Sequence, residues 1–169
     1  PDANGVRSMT TNPVANASGT ARIRVTATDA GGVSSVQEFD ILVSGVADTP
    51  TITQFTSVGG TSGQAGGIAL NLSSSFADLD GSETHQIRIA GVPPGVTLSA
   101  GTFSSPSGTW QLTPAQLANL KVNAPAGWSQ DFSLTATARA TENGQTAISA
   151  PVNLKLVINT APTGISFRG

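Results

Sequence analysis

Apolar and polar residues alternate with a period of two along most of this chain, and almost nowhere with the 3.6-residue period of a helix. In ARIRVTAT, Ala21, Ile23, Val25 and Ala27 fall on one face and Arg22, Arg24, Thr26 and Thr28 on the other, the pattern of a half-buried strand. DAGG follows as a turn. VSSVQEFDILV then returns with Phe39, Ile41 and Val43 in alternation and Val36 out of step, so residues 20 to 44 are predicted to form a hairpin. The design recurs downstream. DFSLTATARAT puts Phe132, Leu134, Ala136 and Ala138 on one face, ENGQ supplies the turn, and VNLKLVI aligns Val152, Leu154, Leu156 and Ile158. The longest helix-compatible stretch is TPAQLANL, where Thr113 caps a single turn carrying Leu117 and Leu120 inward.

Two hairpins of one design, about 110 residues apart, fit the ~100 residues of an immunoglobulin-like sandwich, each hairpin being the last two strands of its repeat. The expected fold class is therefore all-β, with immunoglobulin-like or cadherin-like antiparallel β-sandwich repeats. Residues 1–49 read as the C-terminal part of one sandwich without its front half, because so short a stretch cannot close a two-sheet core. Residues 50–160 read as one complete sandwich, with strands near 51 to 56, 68 to 75, 84 to 90 and 96 to 103, a fifth split around TPAQLANL, and the second hairpin. Pro50 removes a donor and biases Thr49 toward extended backbone, so the junction is expected to be stiff. Residues 161–169 read as the start of a further linker and repeat.

Composition narrows the functions open to such a chain. Only 11% of residues are charged, against roughly a quarter in an average soluble protein, while 19 serines and 21 threonines carry the polarity. The net charge is −2 with the basic residues scattered, which argues against nucleic acid and against an anionic membrane surface. No apolar run approaches the roughly 20 residues of a membrane helix. There is no cysteine and a single histidine, His85, with no G-x-S-x-G elbow beside it, so the chain is expected to be non-catalytic and His85 a polar strand residue.

The acidic residues are few, and three groups of them fall in predicted loops: Asp48 in the linker, Asp78, Asp80 and Glu83 in FADLDGSET, and Glu142 in ATENG. In an immunoglobulin-like sandwich these segments meet at one end. No lysine or arginine lies in them, so the converging carboxylates would repel one another. A hard divalent cation is the natural counter-charge. Ca²⁺ takes six to eight oxygens, and DLDG offers two carboxylates flanking one residue with Gly81 allowing a tight bend, although no acid stands where a full EF-hand loop requires one.

The stretch from DLDGSETHQIRIAG to FSLTATARATENG is similar to the tandem immunoglobulin-like extender repeats of large bacterial RTX adhesins, and TATDAGGVSSVQEFDILVSGVADTP resembles the end of a bacterial cadherin-like repeat. The resemblance spans about residues 20 to 165. It implies a type I secreted, extracellular stalk on the bacterial cell surface, involved in adhesion and biofilm, whose partners are neighbouring repeats of the same polypeptide. It also implies Ca²⁺ ligands at Asp48, Asp78, Asp80 and Glu142, with Glu83 beside them. By the same resemblance Asp29 is the first repeat's counterpart of Glu142, serving an upstream junction. The linker departs from the cadherin-like pattern in carrying Asp48-Thr49-Pro50 where more acids are usual.

A carbohydrate- or peptide-binding sandwich module of the same adhesin is the alternative. It would use an exposed aromatic, but Trp110 alternates with Leu112 and reads as core, Trp128 reads as a plug at the sandwich end, and there is no tyrosine. An isopeptide staple would need an inward lysine, and Lys155 is out of phase with Leu154 and Leu156. The glycosylation-type triplets at Asn16 and Asn71 are assigned no role.

Overall fold

A computed structural model describes residues 7–54, 58–78 and 80–160. The expected further repeat at 161–169, and the last two residues of the strand expected at 51 to 56, lie outside the described residues. The chain is all-β, with β1 Gly19–Thr28, β2 Ser34–Val43, β3 Thr51–Gln54, β4 Val58–Thr61, β5 Ile68–Ala69, β6 Leu72–Ser75 and β7 Thr84–Ala90. There follow β8 Thr97–Leu98, β9 Thr102–Ser104, β10 Thr109–Leu112, a 3-10 turn at Pro114–Leu117, β11 Lys121–Asn123, β12 Phe132–Glu142, β13 Gln145–Ile148 and β14 Val152–Asn159. Among the described residues no helix is long and apolar enough to cross a membrane.

Residues 51 to 160 form sheets around one core, consistent with a β-sandwich. The largest sheet runs β4-β14-β12-β7-β10-β9, with β13 also paired to β12, and is antiparallel except where β4 lies parallel to β14. Two smaller sheets, β5-β11-β8 and β3-β6, complete the body. The alternation read in the sequence explains the core directly. Leu134, Ala136, Ala138 and Ala140 of β12, with Ile87 and Ile89 of β7 and Leu154 and Leu156 of β14, point inward and are at most 1% exposed. They pack with Ile52, Ile68, Leu72, Leu98 and Val122 from the other sheets and with Leu70 between β5 and β6. Small alanines of β12 stand opposite bulky Ile89 and Ile87, so volume is shared across the pair.

Local chemistry sets the turns. Glu142 is paired with Gln145, leaving Asn143 and Gly144 as a two-residue loop with both φ values positive, the conformation that Asn-Gly serves best in a hairpin. Gln116 accepts from the Thr113 amide at 2.9 Å to close the 3-10 turn, and Leu117 and Leu120 are buried as expected. The strand expected over 68 to 75 is interrupted at Leu70 and Asn71, where Asn71 takes a φ of 50°, so β5 and β6 join different sheets. The strand expected over 96 to 103 likewise divides into β8 and β9 in two sheets, and β4 is an additional edge strand.

β1 and β2 pair only with each other, from Gly19 opposite Val43 to Thr28 opposite Ser34, and the turn spans residues 29 to 33. One face carries Arg22–Asp40 and Arg24–Glu38 pairs at 2.9 and 3.6 Å. Val25 and Phe39, on the other face, are each 44% exposed. The two hairpins share a pattern but differ in cover. Leu134→Ala should lower unfolding free energy by about 2–5 kcal/mol, and Phe39→Ala by no more than about 1 kcal/mol, in urea denaturation. Equal losses would contradict this division of the core.

Candidate metal centre

The inward-facing row of β12 ends in a charge. Glu142 continues the phase of Leu134, Ala136, Ala138 and Ala140 and is 3% exposed, so the strand that builds the core also carries a carboxylate into it. On β7 the inward phase of Ile89 and Ile87 runs back through His85 to Glu83, which is 9% exposed. The ladder between the strands reaches Thr141 opposite Thr84, so the two glutamates stand one step past its end. Like charges so placed across two strands repel. Asp78, 3% exposed, adds a third, and oxygens of Asp78, Glu83 and Glu142 all lie within 4.8 Å of one another.

Each carboxylate has a different set of partners. Asp78 accepts from the Asp80 amide at 2.9 Å and from the Ser82 hydroxyl at 3.1 Å. Glu83 accepts from the Asp48 amide at 2.8 Å through Oε1, and its Oε2 lies 2.9 Å from His85 Nε2. His85 is in turn stacked on Phe76, with ring centroids 3.9 Å apart. Both oxygens of Glu142 are buried without a hydrogen-bond partner. An ionised carboxylate out of water and without a partner is strongly unfavourable, and a cation placed here would relieve it.

The segment that links β2 to β3 forms the roof. Gly45 passes so close to Glu142 that a Cβ there would fall on the carboxylate, which is why a glycine is needed. Asn143 donates to the Gly45 carbonyl at 3.1 Å, Asn16 to the Ala77 carbonyl at 3.3 Å, and the Ser18 amide to Asp80 Oδ2 at 3.1 Å. These bonds fasten the base of the β1–β2 hairpin around the cluster. Between them lies a hollow of about 190 Å³ that Asp48, Asp78, Glu142 and Ser18 help to line, room for an ion and several waters at ~30 Å³ each.

The donor set is oxygen-only apart from His85, which already faces Glu83, so it suits Ca²⁺ better than a softer ion. Of the acids singled out in the sequence, the structure gathers Asp78, Glu83 and Glu142. Asp48 lines the hollow while its amide orients Glu83. Asp80 stands outside the trio, exposed, accepting from Ser82 at 2.8 Å and from Ser18. Those bonds, Ser82's first, hold its carboxyl down at about 2. Asp29 caps the β1–β2 turn by accepting from the Val33 amide at 2.9 Å, roughly 30 Å from the hairpin base. Asn16, Ser18, Gly45 and Asn143 are not legible as site residues in the sequence, because Ser18 and Gly45 act through backbone and close approach and the two asparagine amides bond only to main-chain carbonyls.

Trp128 is half-buried against the core, edge-on to Phe132, with its indole N–H donating to the Gln130 carbonyl at 2.7 Å. Lys155 is exposed and faces outward. No protein-family model and no curated protein matches the chain.

Two outcomes are expected. In chelator, Glu142→Gln should raise unfolding free energy by about 1 kcal/mol or more in urea melts, since it removes a buried, unpartnered charge; a loss would show that the charge is satisfied. The folded-state pKa of Asp80 is lowered, so its contribution is present above the ordinary value of 3.8 and is lost as pH falls toward about 2. The Ser18 and Ser82 amide shifts should therefore titrate with a midpoint near 2, and a midpoint near 4 would refute those bonds.

Proposed function

We propose that this chain is a non-catalytic, calcium-stabilised spacer of immunoglobulin-like or cadherin-like sandwich type, an extender of the kind found in the stalks of bacterial RTX adhesins. The observation that carries the reading is the buried trio of Asp78, Glu83 and Glu142, with Glu142 wholly unpartnered, at the meeting point of hairpin, connecting segment and sandwich. Asp78, Glu83 and Glu142 would hold Ca²⁺, with Asp48 completing the set from the connecting segment. Asp80 would keep the loop in shape and pin Ser18.

The work of such a module is mechanical. Without the ion the carboxylates repel and the segment over them is held mainly by single hydrogen bonds such as Asp48 to Glu83; with it, attraction to one centre ties three parts of the chain together. Extracellular modules of this type bind Ca²⁺ with dissociation constants of about 10⁻⁴–10⁻³ M, so stiffening would follow secretion to the bacterial surface. The alternative, a carbohydrate- or peptide-binding module, draws support from Phe103, 51% exposed and 6.0 Å from Trp110 beside Pro93 and Pro94. Trp128, turned against Phe132, does not favour it.

Calorimetric titration of chelator-treated protein with CaCl₂, with a parallel thermal melt, tests the proposal. Saturable binding is expected, with a gain of about 2.7 kcal/mol at a hundredfold excess over Kd, and a rise in Tm of several degrees. Both effects should vanish in Asp78→Asn combined with Glu142→Gln. Absence of heat and of any Tm change would overturn the calcium reading.

A further inference from the structure

The outer face of the main sheet holds a second charged site of opposite sign. Arg88 of β7 and Arg139 of β12 lie on adjacent strands, and the register sets Arg139 opposite Gln86 and Arg88 opposite Thr137, so the two arginines are diagonal neighbours. Both line one shallow hollow together with Thr84, His85, Gln86 and Thr141. Neither forms an ion pair among the described residues: Arg22, Arg24 and His85 are the cationic partners in the pairs that do form. Glu83 and Glu142, the acids of these two strand ends, point to the opposite face.

The hydrogen bonds of the arginines are arranged as if to present them. Arg88 Nε donates to Gln86 Oε1 at 2.8 Å, and Gln86 donates onward to Gln111 at 3.1 Å. Arg139 Nη2 donates to the Thr146 hydroxyl at 2.9 Å, which fixes the plane of its guanidinium. Arg139 Nε is buried and has no acceptor. A guanidinium N–H withdrawn from water without an acceptor is unfavourable, and two like charges on a diagonal add to it. An oxyanion in the hollow relieves the second of these, its oxygens accepting from the terminal Nη groups that the Gln86 and Thr146 bonds leave over.

We infer that Arg88 and Arg139 form an anion-binding site that takes a single carboxylate, phosphate or sulfate group, presented either as a free ion or on an acidic sugar. The surrounding threonine hydroxyls suit a hydroxylated ligand. The two arginines lie on the other side of the same two strands from the acidic cluster, and the site does not rest on the calcium reading.

The arginine Nε–H signals of the intact chain, followed by NMR in chelator and a constant chloride background, test it with sodium sulfate, sodium phosphate and sodium glucuronate as probes. Saturable shifts confined to Arg88, Arg139 and the amides around Thr84 and Thr141 are expected. Arg139→Gln and Arg88→Gln should each weaken binding about tenfold, the loss of one charge-assisted bond. Arg139→Lys, which keeps the charge and loses the fork, should also weaken it, whereas Lys121→Gln on another sheet should not. Tighter binding of glucuronate than of the inorganic ions assigns the site to acidic sugars, and the reverse order assigns it to free anions. Shifts that grow linearly, spread over every basic residue or survive both glutamine variants would overturn the site and leave only general screening.

Discussion

Burial of three carboxylates side by side is the constraint around which the rest of this chain is arranged. Asp78, Glu83 and Glu142 sit where two core-building strands run out, held in turn by a loop, by the lead-in to β7 and by the end of β12. The surrounding backbone conforms to them. Gly45 leaves out a side chain to pass over Glu142, Asp48 turns its amide to Glu83, and Ser82 satisfies Asp78. Two of the three charges are compensated by hydrogen bonds, and Glu142 is not. That asymmetry distinguishes the arrangement from a solvated acidic loop, in which every carboxylate keeps its water.

Much of this is readable from residue order. Alternation locates β1, β2, β7, β12 and β14 closely, because each places a row of apolar side chains on one face and the pleat allows only one phase. The short strands are less legible: β5 and β6 are separated by Asn71 in a left-handed conformation, and β4 contains two glycines and almost no pattern. Residue order picks out the acids as a group but does not rank them by proximity. Asp80 belongs to the most motif-like string yet is exposed, while Glu83 and Glu142 are buried because they continue the inward phase of their strands. Phase along the strand carries that information for the two glutamates, and the D-x-D-G string supplies Asp78 but not Asp80.

The two hairpins show how far a pattern alone can be trusted. β1–β2 and β12–β14 have similar alternation, yet Leu134 and Leu154 are essentially inaccessible while Val25 and Phe39 remain half open. Periodicity specifies which face wants cover, and only tertiary neighbours supply it. The Arg22–Asp40 and Arg24–Glu38 pairs on the opposite face add little stability at such exposure. The ribbon is instead anchored at its base, through Ser18, Asn16 and Gly45, to the same loops that surround the carboxylates.

The parallel pairing of β4 with β14 bears on how the sandwich carries load. β4 lies near the start of the unit and β14 at its end, with Val58 opposite Leu156 and Thr61 opposite Asn159, and the Ser62 amide continues the ladder to the Asn159 carbonyl at 2.8 Å. Two parallel strands drawn from opposite ends are loaded in shear. Their hydrogen bonds then lie across the direction of pull and must fail together, whereas a hairpin pulled at its open end unzips one bond at a time. Tension applied along the polypeptide and passed beyond β3 would thus meet a mechanical clamp built from one short edge strand and the last strand of the unit.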